Sequence, residues 1–377
     1  MRQTSPPAPP APPAPPTVSP SPDAAAPAPT PTPAPAPASA RRRLSRAALR
    51  SSAVRPELWK RAPVLTVSAL LLGLVMMLHA EIPNRFGSVG SLVETFLPWF
   101  GLFVPLLAAG ALWRRSPAAM TALVLPVTVW LSLFGGLLGD KSGSGGDLTM
   151  ASHNVGAENP DPAGTARDLA ASGVDVLALE EITAQDRDVY EKGLAREYPY
   201  HTVQGTVGVW SKLPLSGTRP VDIATDYGPL ADTKPADVTL AGNRALRTTV
   251  ATDKGPLVVY VAHLGSVRLN PRAGFWTDSR DRNAWALGEA LAADRSERIA
   301  LLGDLNGTVD DRALAGITSR LHSVQDSAGD GFGFSWPAKF PVARIDQILV
   351  RGVEPTGSWT LPATGSDHLP VAAGVSW

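Results

Sequence analysis

Two short runs near the C-terminus, GDLN at 303–306 and SDH at 366–368, set carboxylate, amide and imidazole groups directly beside apolar stretches. Asp304 and Asn306 close the run ERIALLGDLN, and Asp367 and His368 precede LPVAAGVSW. The pattern recurs along the second half of the chain. Asn154 ends TMASHN, Glu180 and Glu181 end DVLALEE, His263 ends LVVYVAH, and Asp346 lies in RIDQILV. Ligand-binding and catalytic groups of open α/β sheets gather at strand ends. Carboxylate, amide and imidazole together are the parts for holding a hard divalent cation and transferring a phosphoryl group.

Each residue alone has an ordinary structural use. Asn154 could satisfy a turn, a glutamate ending a strand is commonly solvated, and His263 could be a hydrogen-bonded core histidine. Asp304 and Asn306 could form a turn before Gly307, Asp346 could pair with Arg344, and Asp367 could be a turn carboxylate. What outweighs these readings is that every apolar run ends in the same chemistry. Other hydrolase classes find little support. G-x-S-x-G, H-E-x-x-H and G-x-x-x-x-G-K-[ST] are all absent. The chain has no cysteine and only six histidines, which excludes disulfides, cysteine nucleophiles and cysteine zinc sites and disfavours a multi-histidine zinc site. Oxygen ligands favour Mg²⁺ or Mn²⁺.

The elements that must carry these groups are readable from the pattern. DLTMASHNV, GVDVLALEE and ERIALLGDLN predict buried strands, RALRTTVAT and GPLVVYVAHLG paired strands, and RIDQILVRG, SWTLPATGS and LPVAAGVSW further strands. DPAGTARDLAAS and DSRDRNAWALGEALAAD have helical periodicity. Strand–helix–strand units mixed with adjacent strands predict an α/β sandwich of mixed sheets.

The first part of the chain is of another kind. The chain of 377 residues is neutral overall, but residues 1–146 carry 13 Lys and Arg against 5 Asp and Glu, and residues 147–377 carry 21 against 29. Residues 1–40 hold sixteen of the 37 prolines, so an extended, disordered tail is expected, a spacer in preference to a ligand for a proline-binding domain. Residues 41–61 are basic. Three apolar segments follow at about 62–80, 96–113 and 117–138, each near the length of a membrane span. A buried soluble bundle is the alternative, disfavoured because the segments are apolar on all sides. The basic stretch ahead of the first span places the N-terminus in the cytoplasm, so three spans leave the rest of the chain outside it. Residues 140–147 read as a flexible Gly/Ser linker, giving a tail at 1–61, a membrane domain at 62–139 and a soluble domain at 148–377. An acidic soluble domain disfavours nucleic acid as partner.

Taken in order, SHN, DVLALEE, WSKLPL, VAHLG, GDLN, RIDQIL and SDHLPV resemble the endonuclease/exonuclease/phosphatase superfamily, which includes DNase I-like nucleases, inositol-polyphosphate phosphatases and neutral sphingomyelinases. The resemblance spans 147–377 and implies a DNase I-like four-layer sandwich with two mixed sheets. It implies Glu181 as the Mg²⁺-binding glutamate, Asn154 beside metal and phosphate, and Asp367 as a further metal-side carboxylate. His263 would contact phosphate oxygens, and Asp304 would orient or deprotonate water beside Asn306. His368 would be the catalytic histidine with Asp346 as its partner. Whether Asp304 or His368 is the base stays open. Two positions depart from the pattern. Glu180 stands where glutamine is usual, an acid that could sharpen metal binding or be merely solvated, and Lys212 in SKLP replaces the usual arginine.

The three spans joined to this domain resemble the actinobacterial VanJ-type membrane phosphohydrolases associated with glycopeptide resistance. That resemblance implies a lipid-linked phosphate substrate, foremost undecaprenyl pyrophosphate. A membrane-tethered nuclease or general phosphodiesterase is the enzymatic alternative, and a binding or sensor protein with a relic site the non-enzymatic one.

Overall fold

The computed structural model describes residues 62–143, 146–223, 243–271 and 274–377. The tail expected over 1–61 lies outside the described residues.

Strands β1 (Leu148–Asn154), β2 (Val176–Glu180), β3 (Tyr200–Gln204) and β4 (Val207–Ser211) join β13 (Glu354–Thr360) and β14 (Val371–Ser376) in one six-stranded sheet, ordered β13-β14-β1-β2-β4-β3. Strands β5 (Leu215–Pro220), β6 (Ala245–Thr252), β7 (Gly255–Ala262), β10 (Ile299–Asp304), β11 (His322–Ser323) and β12 (Asp346–Arg351) form the second, ordered β11-β12-β10-β7-β6-β5. Both sheets are mixed. β1 runs parallel to β2 and β7 parallel to β10, while the other pairings are antiparallel. A short hairpin, β8 (Arg268–Asn270) with β9 (Gly274–Trp276), stands apart.

Alternation along each strand builds the layers. Leu257, Val259 and Val261 of β7 and Ala300 and Leu302 of β10 point inward and meet Met150, Val176 and Ala178 of the other sheet. The intervening Val258, Tyr260, Ile299 and Leu301 point outward, against Ala284, Leu287 and Leu291 of the helix Asp278–Ala293. On the opposite side Leu177 and Leu179 pack on the helices Pro162–Ala171 and Arg187–Leu194. The result is a helix–sheet–sheet–helix sandwich.

Ahead of the sandwich lie α1 (Pro63–Met77), α2 (Val89–Thr95), α3 (Phe103–Trp113), α4 (Pro117–Ala122) and α5 (Val124–Phe134). Pro117–Leu137 forms a nearly continuous helix of 21 residues, long and apolar enough to cross a membrane. The other two apolar segments differ from expectation. α1 has 15 residues, about 22 Å at 1.5 Å per residue, short of a ~30 Å hydrocarbon core. The segment at 96–113 is preceded by α2 and bent against it by 69°. The break falls at Phe96, and Pro98 explains it, since proline has no N–H to donate to the Glu94 carbonyl one turn back. The stretch at 81–95, between the first two apolar segments, contains the helix α2, with Glu94 fully buried. The linker is also more tied down than its composition suggests. Gly143 N–H donates to the Thr356 carbonyl (2.7 Å) and Asp147 N–H to that of Val375 (2.8 Å).

Candidate active site

The inward-facing rows that make the apolar core turn polar at one end. Asn154 continues the row of Leu148 and Met150, and Glu180 that of Val176 and Ala178. Just past β7, His263 follows Val259 and Val261, while Asp304 follows Ala300 and Leu302, and Asp346 precedes Ile348 and Val350. Register aligns them across the sheets. Asn154 pairs with Glu180, and Asp304 with Asp346. The site is thus the last tier of the inter-sheet layer, on rigid mounts.

Asp304 is its centre and is almost fully buried. Its Oδ2 accepts from Asn154 Nδ2 (3.0 Å) and Asn306 Nδ2 (3.2 Å), and its Oδ1 from the Asn306 backbone N–H (2.9 Å). Each residue of GDLN has a distinct use. At Gly303 a β-carbon would collide with the Ala262 carbonyl, so only glycine permits β10 to lie so close to β7. Leu305 fills the outer core, and Asn306 turns the chain in left-handed geometry (φ 48°), which asparagine tolerates. Burial raises the Asp304 carboxyl to about 7, with Asp346 adding to the rise and His368 opposing it.

His368 stands on the other side. Its Nδ1 lies 2.9 Å from Asp346 Oδ2, and its Nε2 is 3.9 Å from Asp304 Oδ2. Burial would lower its pKa, but Asp346 and Asp304 outweigh this and raise it to about 10, so the ring is an imidazolium. Asp346 also accepts from Ser335 Oγ (2.6 Å) and does not pair with Arg344, whose Nη1 donates to Gln325 and Gly333. Burial opposes ionisation of Asp346, yet His368 and Ser335 hold its carboxyl below the ordinary value.

His263 Nε2 faces Glu181 Oε1 (3.5 Å) and Asp304 Oδ2 (3.6 Å). Both of its ring nitrogens are buried without a hydrogen-bond partner among the described residues. Burial, then the Arg244 guanidinium, pushes its pKa well down, so the ring is neutral. Arg244 itself caps the end of β7, donating from Nε to the His263 carbonyl and from Nη2 to that of Leu264 (both 2.9 Å).

Glu180 and Glu181 part company. Glu181 leaves the strand in left-handed geometry (φ 61°), its Oε2 accepting from Ala157 N–H (3.0 Å). Glu180 is fully buried, so it is not solvated, and it does not line the cleft. Burial pushes its pKa well up, and its Oε1 accepts from Ser152 Oγ (2.9 Å). A neutral glutamic acid has the shape of the glutamine expected there. Asp367 is exposed at the cleft, accepting from the Trp336 indole (3.2 Å). Lys212 is remote. Ser211 pairs with Val176 at the far end of β2, and Lys212 lies 3.4 Å from Asp175.

The donor set fits a divalent cation. Atoms of Asp304, Asp346 and His368 lie within 4.8 Å of one another, but Asp346 is committed to His368 and Ser335. The set open to the cleft is Glu181 with Asn154 and Asp304, beside the unpartnered His263 Nε2. Such a group of carboxylates would repel a phosphate unless a cation lay between them.

Residues that sequence reasoning missed tie this floor to the first helices. Arg280 is fully buried and donates from Nη1 to Asp311 Oδ2 (2.8 Å) and to the Asn306 carbonyl (3.2 Å), and from Nη2 to Ser91 Oγ of α2 (3.3 Å). Leu92, Thr95 and Phe96 then form one wall of the cleft, a cavity of about 540 Å³. Only GDLNGTVDDR, an acid-rich run after a strand, hinted at more than a turn here.

A carboxylate-backed imidazolium, a buried carboxyl and an oxygen-rich cluster at the sheet ends are parts suited to phosphoester chemistry. The family model described as Endonuclease/Exonuclease/phosphatase family matches residues 151–368, and the chain belongs to that family. Its members hydrolyse phosphoester bonds and are generally dependent on divalent metal. None of the curated proteins matches the chain. Among solved structures it is similar to a functionally unknown conserved protein from Enterococcus faecalis V583, at 14% identity over 60% of this chain and 99% of that one, with TM-score 0.48. It is similar also to a mannosyl-6-phosphatase from Bacteroides thetaiotaomicron VPI-5482 (16% identity, 61% of this chain, 100% of that one, TM-score 0.46). A third is beta toxin from Staphylococcus aureus (15%, 60%, 99%, TM-score 0.48).

Proposed function

We propose that this chain is a membrane-anchored, divalent-cation-dependent phosphohydrolase acting outside the cytoplasm on lipid-linked phosphate or pyrophosphate. Its foremost substrate is undecaprenyl pyrophosphate, and its role is carrier recycling in cell-wall synthesis, linked to glycopeptide resistance. The observation that carries this reading is the shared cleft. Its floor is Asp304, Asn306, Glu181 and His368, and its wall is Leu92, Thr95 and Phe96 from the apolar helical region. A cleft polar on one side and apolar on the other suits an amphiphile. Large apolar side chains exposed on those helices, among them Leu71, Leu102, Leu106, Leu112 and Val124, support a lipid-facing surface.

Glu181 and Asn154, with Asp304 alongside, would hold Mg²⁺ or Mn²⁺, which when bound neutralises charge developing on the phosphoryl oxygens. Asp304, its pKa raised to about 7 by burial, takes the proton of the attacking water in its carboxylate form. His368, kept cationic by Asp346, stabilises the departing oxygen, and His263 Nε2 serves a phosphoryl oxygen. Asp367 lines the same cleft and reinforces the charge on His368.

The test is phosphate release from undecaprenyl pyrophosphate by detergent-solubilised protein with Mg²⁺, with EDTA, and with Asp304→Ala. Release that needs both cation and Asp304 is expected. Release undiminished in Asp304→Ala would refute the reading, and preferential cleavage of plasmid DNA would replace it with a tethered nuclease.

A further inference from the structure

A second cavity, of about 430 Å³, lies beside the catalytic cleft between the apolar helices and the loop that precedes β12. Pro98, Trp99, Leu102, Trp130, Phe332 and Phe334 line it. Trp99 stacks on Phe334 (5.5 Å between ring centres), and Phe334 on Phe332 (5.2 Å). The two indole N–H groups are spent on the backbone, Trp99 Nε1 on the Val342 carbonyl (2.7 Å) and Trp130 Nε1 on that of Pro98 (2.8 Å). The rings therefore offer the cavity hydrocarbon surface and no donor.

Two segments line both spaces. Phe96 faces the cleft and Pro98 and Trp99 the second cavity, while Trp336 faces the cleft and Phe334 the second cavity. Two residues reach about 7 Å at most, so cleft and cavity adjoin. The size is that of a small-molecule site.

We infer that this cavity receives the hydrocarbon chain of the same substrate molecule whose phosphate lies over Asp304, and so selects long-chain lipid phosphates over short ones. This rests on the lipid-phosphohydrolase reading. Its occupant is argued from the adjacency of the two spaces and from their change of polarity: charged at Asp304 and Glu181, apolar beyond Trp99. A free phosphate ester would gain nothing from the second space, and a polar chain would lose its hydrogen bonds there.

The test compares dimethylallyl diphosphate with undecaprenyl diphosphate as substrates of the full-length protein in detergent. Leu102→Trp and Leu131→Trp each place an indole in the cavity. In both, the ratio of kcat/KM for the long over the short substrate should fall about tenfold, equivalent to withdrawing roughly two methylene groups from burial. An unchanged ratio in both overturns the inference. Should either variant lose its fold, wild-type protein is irradiated with an undecaprenyl phosphate bearing a diazirine near the headgroup. Label on residues 98–105 and 127–134, suppressed by excess unlabelled undecaprenyl diphosphate, is expected. Label that is not suppressed marks nonspecific contact within the detergent micelle and overturns it. Failure of wild-type protein to cleave either diphosphate would remove the parent reading. Cleavage of both without chain-length discrimination would remove this one alone.

Discussion

Adjacent glutamates meet opposite fates at the end of β2, and strand parity explains why. Glu180 keeps the alternation of Val176 and Ala178 and points between the sheets, where burial pushes its pKa well up. Glu181 leaves the alternation through its left-handed turn and reaches the cleft. Glu180→Gln should therefore retain kcat within about twofold, since the amide reproduces the shape of the protonated acid. Glu181→Gln should raise the Mg²⁺ concentration for half-maximal rate by about 10- to 100-fold. A Mg²⁺ titration of the two variants checks this, and equal effects would refute the distinction. The types and order of the candidate site residues were legible because each flanks an apolar run. The role of Glu180 was half-legible, for parity put it inside, but nothing local showed that the next residue would turn at positive φ. Arg244 and Arg280 were not legible. Their work is to cap carbonyls from distant strands, and no pattern near either residue marks a partner so far along the chain.

The elements were read best where one period dominates. β2, β7 and β10 are mainly apolar runs because each is covered on both faces, and with β1 they stand where the sequence predicted strands. The hairpin β8–β9 and the helix Arg187–Leu194 were not legible, the strands being three residues each and the helix only eight. At the sheet edge away from the site, one group fastens helix to strands. Asp294, just after the helix Asp278–Ala293, accepts from Arg247 Nε (2.7 Å) on β6 and Tyr260 Oη (2.8 Å) on β7. Burial would raise its pKa, but Arg247, Ser296 and Tyr260 hold it well below the ordinary 3.8. A carboxyl depressed in the folded state contributes stability that is fully present above the unfolded-state pKa and is lost as pH falls below it. Asp294→Asn should thus destabilise by about 1.5–3 kcal/mol at pH 7. The gap in melting temperature between variant and wild type should close as pH drops below about 4. A gap that stays constant from pH 7 to pH 3 would show that the carboxylate charge is not what matters.

At the scale of the whole chain, the question is how an apolar helical region becomes part of a catalytic cleft. The apolar runs were plain in the sequence, but their junction with the sandwich was not, because it is built from charges that read as loop residues. Glu94 of α2 has no exposed surface and accepts from Arg312 Nη2 (2.7 Å), Arg312 Nε (3.0 Å) and the Arg312 backbone N–H (3.2 Å). Arg312 also donates to the carbonyls of His79 (2.8 Å) and Ile82 (2.6 Å). One residue back, Asp311 binds Arg280, which reaches the Asn306 carbonyl two residues from Asp304. The junction and the candidate site thus share a hydrogen-bonded path, and what fixes α2 also fixes the wall that Leu92 and Phe96 give the cleft. Removing one partner of such a buried pair leaves the other uncompensated, so Glu94→Ala should destabilise by about 3–5 kcal/mol. Arg312→Ala should cost less than the sum of the separate losses once Glu94 is already gone, with a coupling of about 1 kcal/mol or more. Thermal unfolding of wild type, both single variants and the double variant in the same detergent measures it. Strict additivity would mean that the helices and the sandwich merely touch, and that the apolar wall of the cleft is not held by this pair.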